Sequence, residues 1–123
     1  MAVAMSSTSL LEAMQPSADD TTAIAHAKRL FQLLREDKVE DVAKEFTSQM
    51  TAALTPAQMR SVLEGVRGQA GTFQSFIDER VTRPSPGFTA VMLGCQYDNN
   101  GVNAMFVFDA ENKLAGLRFN PMP

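Results

Sequence analysis

A chain of 123 residues fits one domain, and at that size it buries about two thirds of its unfolded surface, so folding needs neither disulfide nor metal. Its 45% hydrophobic and 20% charged residues are those of a globular protein. A net charge of −3 and an isoelectric point near 5.0 give no cationic footprint for nucleic acid or an anionic membrane, and neither is expected as a partner.

One cysteine, Cys95, and one histidine, His26, cannot make a structural zinc site, and no cofactor is implied. Cys95 closes the run Val91-Met92-Leu93-Gly94-Cys95, which reads as a buried strand with the thiol as a small core hydrophobe. As a nucleophile it would need a base, and only His26 is on offer. No apolar run is long enough for a transmembrane helix. The first five residues lack the basic and apolar regions of a signal peptide, so a cytoplasmic location is expected.

Residues 1–18 read as a flexible leader, with Leu10, Leu11 and Met14 able to dock on the body, and residues 19–123 as a single domain. The first helix is expected over about Asp20–Arg35, where Ala23, Ala27, Leu30, Phe31 and Leu34 form one apolar stripe. Asp20 or Thr21 can cap it. A second helix is expected over about Lys38–Met50, with Val39, Val42, Ala43, Phe46 and Met50 on one side. A third starts at Thr55-Pro56-Ala57-Gln58, a capping box with proline at the first helical position. Gly68 and Gly71 are expected to end it, since glycine takes a left-handed conformation without steric cost.

Beyond Gly71 the period changes from 3.6 to 2, and six of the eight phenylalanines lie past residue 72. Strands are expected at about Thr72–Arg83, Phe88–Asp98, Val102–Asp109 and Lys113–Asn120. Pro84-Ser85-Pro86-Gly87 separates the first two, Asn99-Asn100-Gly101 makes a hairpin, and Asp109-Ala110-Glu111-Asn112 makes another. The fold class is therefore α+β: three N-terminal helices packed on a curved antiparallel sheet of about four strands.

A two-residue loop at Asn100-Gly101 would pair Tyr97 with Ala104, Cys95 with Phe106 and Leu93 with Phe108. One face would then carry Val91, Leu93, Cys95, Tyr97, Phe106 and Phe108 toward the helices. The other would carry Met92, Gly94, Gln96, Met105 and Val107, joined by Ala115, Leu117 and Phe119 if the last hairpin has a three-residue loop. From Ser85 to Pro123 there are only five charged side chains, so this outer face lacks the polar alternation of a wet sheet. A homodimer through Met92, Met105, Val107, Leu117 and Phe119 is the simplest cover, because a twofold interface need only be self-complementary. The leader helix or a further domain is the alternative.

Helices followed by a curved meander resemble the cone-shaped nuclear-transport-factor-2-like superfamily. Gln69-Ala70-Gly71-Thr72-Phe73 is similar to a short Q-x-G-x-F element of a bacterial domain of unknown function in that superfamily. Val107-Phe108-Asp109 with Lys113-Leu114-Ala115-Gly116-Leu117-Arg118-Phe119-Asn120-Pro121 is similar to its closing hairpin, and Leu54-Thr55-Pro56 to the entry of its third helix. The resemblance spans roughly residues 22–121 and implies fold rather than chemistry. Such domains often precede α/β-hydrolase or β-lactamase-like domains as accessory modules. With the chain running to Pro123, a stand-alone member and an excised piece are both open.

Enzymes of the cone fold hold acid–base groups between helices and sheet. Here His26 falls at the edge of the first helix's stripe and reads as a boundary residue. Under the pairing above, Tyr97 and Arg118 flank Ala104 and converge at one end of the cavity, a grip for a small anion or carbonyl. One residue of slip in the last hairpin would dissolve that pair. Asp78 and Glu79 face opposite ways on the first strand, so one carboxylate could enter the cavity. The eight methionines are scattered and read as core filling. No phosphate loop and no nucleophile elbow occur. The expectation is a non-catalytic small-ligand-binding, dimerisation or accessory domain, with Tyr97, Arg118 and Asp78 as candidate ligand-binding residues. The alternatives are an isomerase- or dehydratase-like enzyme using Tyr97, Arg118 and Asp78 or Glu79, and a purely structural assembly domain.

Overall fold

The computed structural model describes residues 18–122. The leader positions Leu10, Leu11 and Met14 lie outside the described residues. Four helices and four strands follow in order: α1 (Ala18–Arg35), α2 (Val39–Ala43), α3 (Ser48–Ala53), α4 (Pro56–Ala70), β1 (Phe73–Thr82), β2 (Thr89–Tyr97), β3 (Gly101–Phe108) and β4 (Leu114–Pro121). The sheet is an antiparallel meander in the order β1-β2-β3-β4, so the α+β class and the strand positions are as the sequence indicates.

The helix ends follow local chemistry. After α1, Asp37 adopts φ 63°, its amide bonds Leu34 O at 3.1 Å, and Lys38 N bonds Leu33 O at 2.8 Å. This double closure satisfies two orphan carbonyls and stops the helix just past Arg35. At α4 the capping box forms: Gln58 N donates to Thr55 Oγ1 at 3.2 Å and Thr55 N donates to Gln58 Oε1 at 2.8 Å. Gly68 lies inside α4, and the helix ends at Gly71, whose φ of 91° suits glycine.

The expected second helix is two helices. Thr47 opens α3 by accepting from Met50 N at 3.1 Å. The break frees Glu45 O to accept from Leu114 N at 2.6 Å and Thr47 N to donate to Leu114 O at 3.0 Å, so the segment joins β4 through Phe46 and Leu114.

Both hairpin registers differ from the sequence reading. Between β2 and β3, Gln96 pairs with Gly101, Cys95 with Val102 and Leu93 with Ala104. The turn spans Tyr97 to Asn100, and Gly101 does not take positive φ. Tyr97 N bonds Asn100 O at 3.0 Å and closes a tight turn at Asp98-Asn99, whose amides reach Thr72 O at 3.0 Å and Ala70 O at 2.9 Å and so tie the turn to the α4–β1 connection. Relative to the expected pairing the slip is an even number of residues, so every β2 and β3 side chain keeps its face.

Between β3 and β4 the loop is the expected one, with Asn112 at φ 64° and Phe108 paired with Leu114. A bulge then intervenes, because Val107 pairs with Gly116 and Ala115 is left over. That extra residue reverses the faces of β4. Leu117 now pairs with Phe106 and Phe119 with Ala104, on the helix side, while Arg118 pairs with Met105 on the outer face. The Phe119 ring lies 6.4 Å from Phe31 of α1. Leu117 and Phe119 therefore leave the outer-face list, and Tyr97 and Arg118 do not converge.

β1 carries its own irregularity between Phe76 and Asp78. Phe76 pairs with Cys95 and meets Phe31 at 5.7 Å on the inner side, whereas Asp78 pairs with Gly94 on the outer side. The core lies between α1 and the inner sheet face. Leu30, Phe31 and Leu34 of α1 are buried there against Val91, Leu93, Ala104 and Phe106, each of which contributes about 1.5–3 kcal/mol if large.

Candidate ligand pocket

The C-terminal ends of α1 and α4 meet the start of β1 and the end of β2. Between them lies a pocket of about 200 Å³, lined by Leu34, Arg35, Leu63, Val66, Arg67, Thr72, Phe73 and Tyr97. Each side chain arrives there for a local reason. The α1 stop places Arg35 at the helix end, where a cation complements the carbonyl dipoles. Its guanidinium carbon lies 4.2 Å from the Phe73 ring centroid and 5.2 Å from that of Phe31, which holds the group flat against the aromatic wall. Arg67 occupies the last turn of α4.

Phe73 and Tyr97 are register partners, and their rings meet edge to face at 5.8 Å. The turn after α4 fixes them. Thr72 N donates to Asp98 Oδ2 at 2.9 Å, and the Gln74 side-chain amide donates to Asp98 Oδ1. The Gln69–Phe73 element thus delivers Phe73 to the pocket wall, with Gly71 as its bend.

Tyr97 is only 5% exposed, and burial is the main cause that pushes its hydroxyl up to about 12, with Cys95 adding and Arg35 and Arg67 opposing. It remains a neutral donor at physiological pH. Among the described residues, no protein group takes up that hydroxyl, and neither Arg35 nor Arg67 has a carboxylate partner.

The other candidate residues are elsewhere. Asp78 is exposed on the outer face, accepting from Glu79 N at 2.9 Å and from Arg80 Nε at 2.9 Å. Glu79 is on the helix side but exposed, paired with Lys28 at 3.1 Å. Arg118 lines a shallow outer cavity of about 400 Å³ with Met105, Val107 and residues of α3. Cys95 is buried, donates to Leu93 O at 3.5 Å, and has its thiol pushed up to about 12 mainly by burial. Arg35 and Arg67 were not singled out by sequence, because only the folded chain brings two helix ends to one strand end. Their positions in the last turns were the available signal.

A larger cavity of about 500 Å³ lies at the opposite edge, lined by His26, Arg83, Phe88, Phe108 and Asp109 among others. Its His26, Arg83 and Asp109 side chains are already engaged. His26 Nε2 donates to Glu45 Oε1 at 2.6 Å while its ring stacks on Phe108 at 4.5 Å. Arg83 donates to Asp20 at 2.7 Å. Asp109 Oδ1 accepts from Glu111 N and Lys113 N, both at 2.9 Å. Among the described residues, no group of three or more His, Cys, Asp or Glu is placed to hold a metal ion, and no helix is long and apolar enough to cross a membrane.

A family described as Protein of unknown function (DUF3887) matches residues 27–117. That span runs from the buried stripe of α1 to the inner residue Leu117 of β4, and it includes every residue that lines the small pocket. No curated protein and no solved structure matches the chain.

Proposed function

The chain belongs to the DUF3887 family of proteins of unknown function, and on that premise we propose that the domain is a non-catalytic binder of a small ligand held against Tyr97 and Phe73. The observation that carries this reading is the Tyr97 hydroxyl: a neutral donor without a partner among the described residues, at the wall of a pocket of about 200 Å³. Leu34, Leu63, Val66 and Phe73 supply apolar surface, and the polar groups converge from three elements, as in small-molecule sites generally. Binding is favoured over catalysis because the lining side chains include no carboxylate, imidazole or thiol to move a proton at neutral pH. The volume, room for about seven water-sized groups, calls for a fragment-sized ligand.

The test is a fragment screen by amide chemical shifts on the isotopically labelled full chain. Binders should move the amides of Val66, Thr72, Phe73 and Tyr97 together. Tyr97→Phe should weaken those hits about threefold to tenfold, the worth of one neutral hydrogen bond. Hits that map only to the outer face or to the His26 cavity, or that bind Tyr97→Phe equally well, would remove this assignment.

A second reading, pairing of two copies through the outer face, is favoured by a half-buried apolar stripe. Met92 and Met105 are register partners there, with Ala90 and Val107 as the adjacent pair, while Gly94 is covered by the Asp78 and Met122 side chains. Arg118 and Arg80 stand at the two ends of the methionine row. Light scattering after size exclusion should give a dimer at tens of micromolar that Met105→Glu converts to monomer. A wild-type monomer at that concentration excludes the pairing.

A further inference from the structure

We infer that the ligand of the Tyr97 pocket is a small monocarboxylate with a compact apolar body, its head group bound by Arg35 and Arg67 and its body by Phe73 and the α4 face. The inference rests on the pocket reading above and names the ligand class.

The first support is charge. Seven of the other basic side chains, Lys28, Arg29, Lys38, Lys44, Arg60, Arg80 and Arg83, lie within salt-bridge distance of an acidic partner among the described residues. Arg35 and Arg67, like the exposed Lys113 and Arg118, have none among the described residues, and these two line the same small pocket. Two exposed guanidinium groups without a salt-bridge partner among the described residues, at the rim of one apolar cavity, offer an anion a place to bind. The nearest carboxylate in the turn, Asp98, is committed to Thr72 N and to the Gln74 amide.

The second support is geometry. The Arg35 guanidinium lies over the edge-to-face pair of Phe31 and Phe73, whose rings meet at 5.3 Å, so the group has an aromatic seat before any ligand arrives. A planar carboxylate matches such a fork through two parallel hydrogen bonds. The Tyr97 hydroxyl supplies a further donor from the strand side.

The third support decides between anions. Both helices that reach the pocket do so by their C-terminal ends, the negative ends of their dipoles. Phosphate sites use the opposite, N-terminal end, with its free amides. These ends oppose any anion and a dianion about twice as strongly as a monoanion, so Arg35 and Arg67 offset the cost more fully for a single charge. The apolar walls Leu34, Leu63, Val66 and Phe73 exclude a strongly hydrated ion and accept an aliphatic or aromatic body.

The experiment compares benzoate with benzamide, and isovalerate with its amide, titrated into the labelled full chain. The carboxylates should move the Thr72, Phe73 and Tyr97 amides and bind at least about tenfold more tightly than the matched amides, as a charge-assisted contact requires. Raising the salt should weaken the carboxylates and leave the amides unchanged. Arg67→Met removes an exposed side chain without disturbing the core. It should erase the preference for carboxylate while benzamide binds as before, and Arg67→Lys should restore part of it. Equal binding of benzoate and benzamide, inorganic phosphate outcompeting benzoate, or a preference that survives Arg67→Met would each overturn the carboxylate assignment while leaving the pocket reading intact. Silence at these amides from charged and neutral fragments alike would overturn the pocket reading itself.

Discussion

A Cβ placed on Gly71 would stand 2.7 Å from the Cβ of Asp98, a distance that real side chains do not adopt. Gly71 also sits at φ 91°, so it combines a conformation that suits glycine with a close approach. The approach is productive, because it lets the Asp98 carboxylate receive Thr72 N and thereby ties the start of β1 to the end of β2. Gly71→Ala should cost about 1–3 kcal/mol from backbone strain alone, with the clash adding to it. Urea unfolding measures this, and the same variant should broaden or shift the Phe73 and Tyr97 signals. A variant as stable as wild type would mean that the turn relaxes freely.

Tyr97 and Arg118 provide a paired control. Tyr97→Phe removes a hydroxyl without a partner among the described residues, so folding stability should change by less than about 0.5 kcal/mol while ligand binding falls. Arg118 is exposed on the outer face, and Arg118→Ala should leave both stability and pocket binding unchanged. Thermal melts with and without the benzoate probe check both. Equal loss of binding in the two variants would contradict the face assignment of β4.

Cys95 should be chemically silent in the native state. Its thiol is buried and pushed up to about 12, so almost no thiolate exists at neutral pH. Alkylation followed by mass spectrometry should show labelling only as the chain unfolds, at a rate that reports opening of the sheet. Rapid labelling of folded protein would require the core to open far more easily than its packing implies.

Glu45 predicts how stability responds to acid. Burial raises its carboxyl, but hydrogen bonds from His26 and Arg29 outweigh that and hold it below the ordinary 4.5. A depressed folded-state value means stability that is complete above 4.5 and is lost as the pH falls through the lower folded value. Glu45→Gln should therefore be less stable than wild type at neutral pH, and the gap should narrow as the pH falls below 4.5. Denaturation midpoints across that range test the sign. A gap that widens in acid would place the carboxyl above its usual value instead.

Much of this architecture was readable before folding, wherever the cause is local. The Thr55–Gln58 capping box, the apolar stripe of α1, the glycine stop after α4 and the αL turn at Asn112 each depend on residues within one or two turns of chain. The period-2 alternation of β2 and β3 also holds although the turn sits two residues earlier than expected, because an even slip preserves faces. The candidate site was less legible: Tyr97 was found, but its partners were not.

What only the tertiary structure decided turns on single residues and distant meetings. Ala115 bulges where Leu114 is tied to Glu45 and Thr47, and that one surplus residue sends Arg118 outward and Leu117 and Phe119 inward. No local pattern announces it, since the strand reads as well in either register. The pocket has the same origin. Arg35, Arg67 and Tyr97 lie far apart in sequence, and they become one site because α1 and α4 end at the edge of the sheet where Gly71 lets the chain turn back. The sequence alone therefore determined the elements and the inward face of β2, and packing determined which charges stand beside Tyr97.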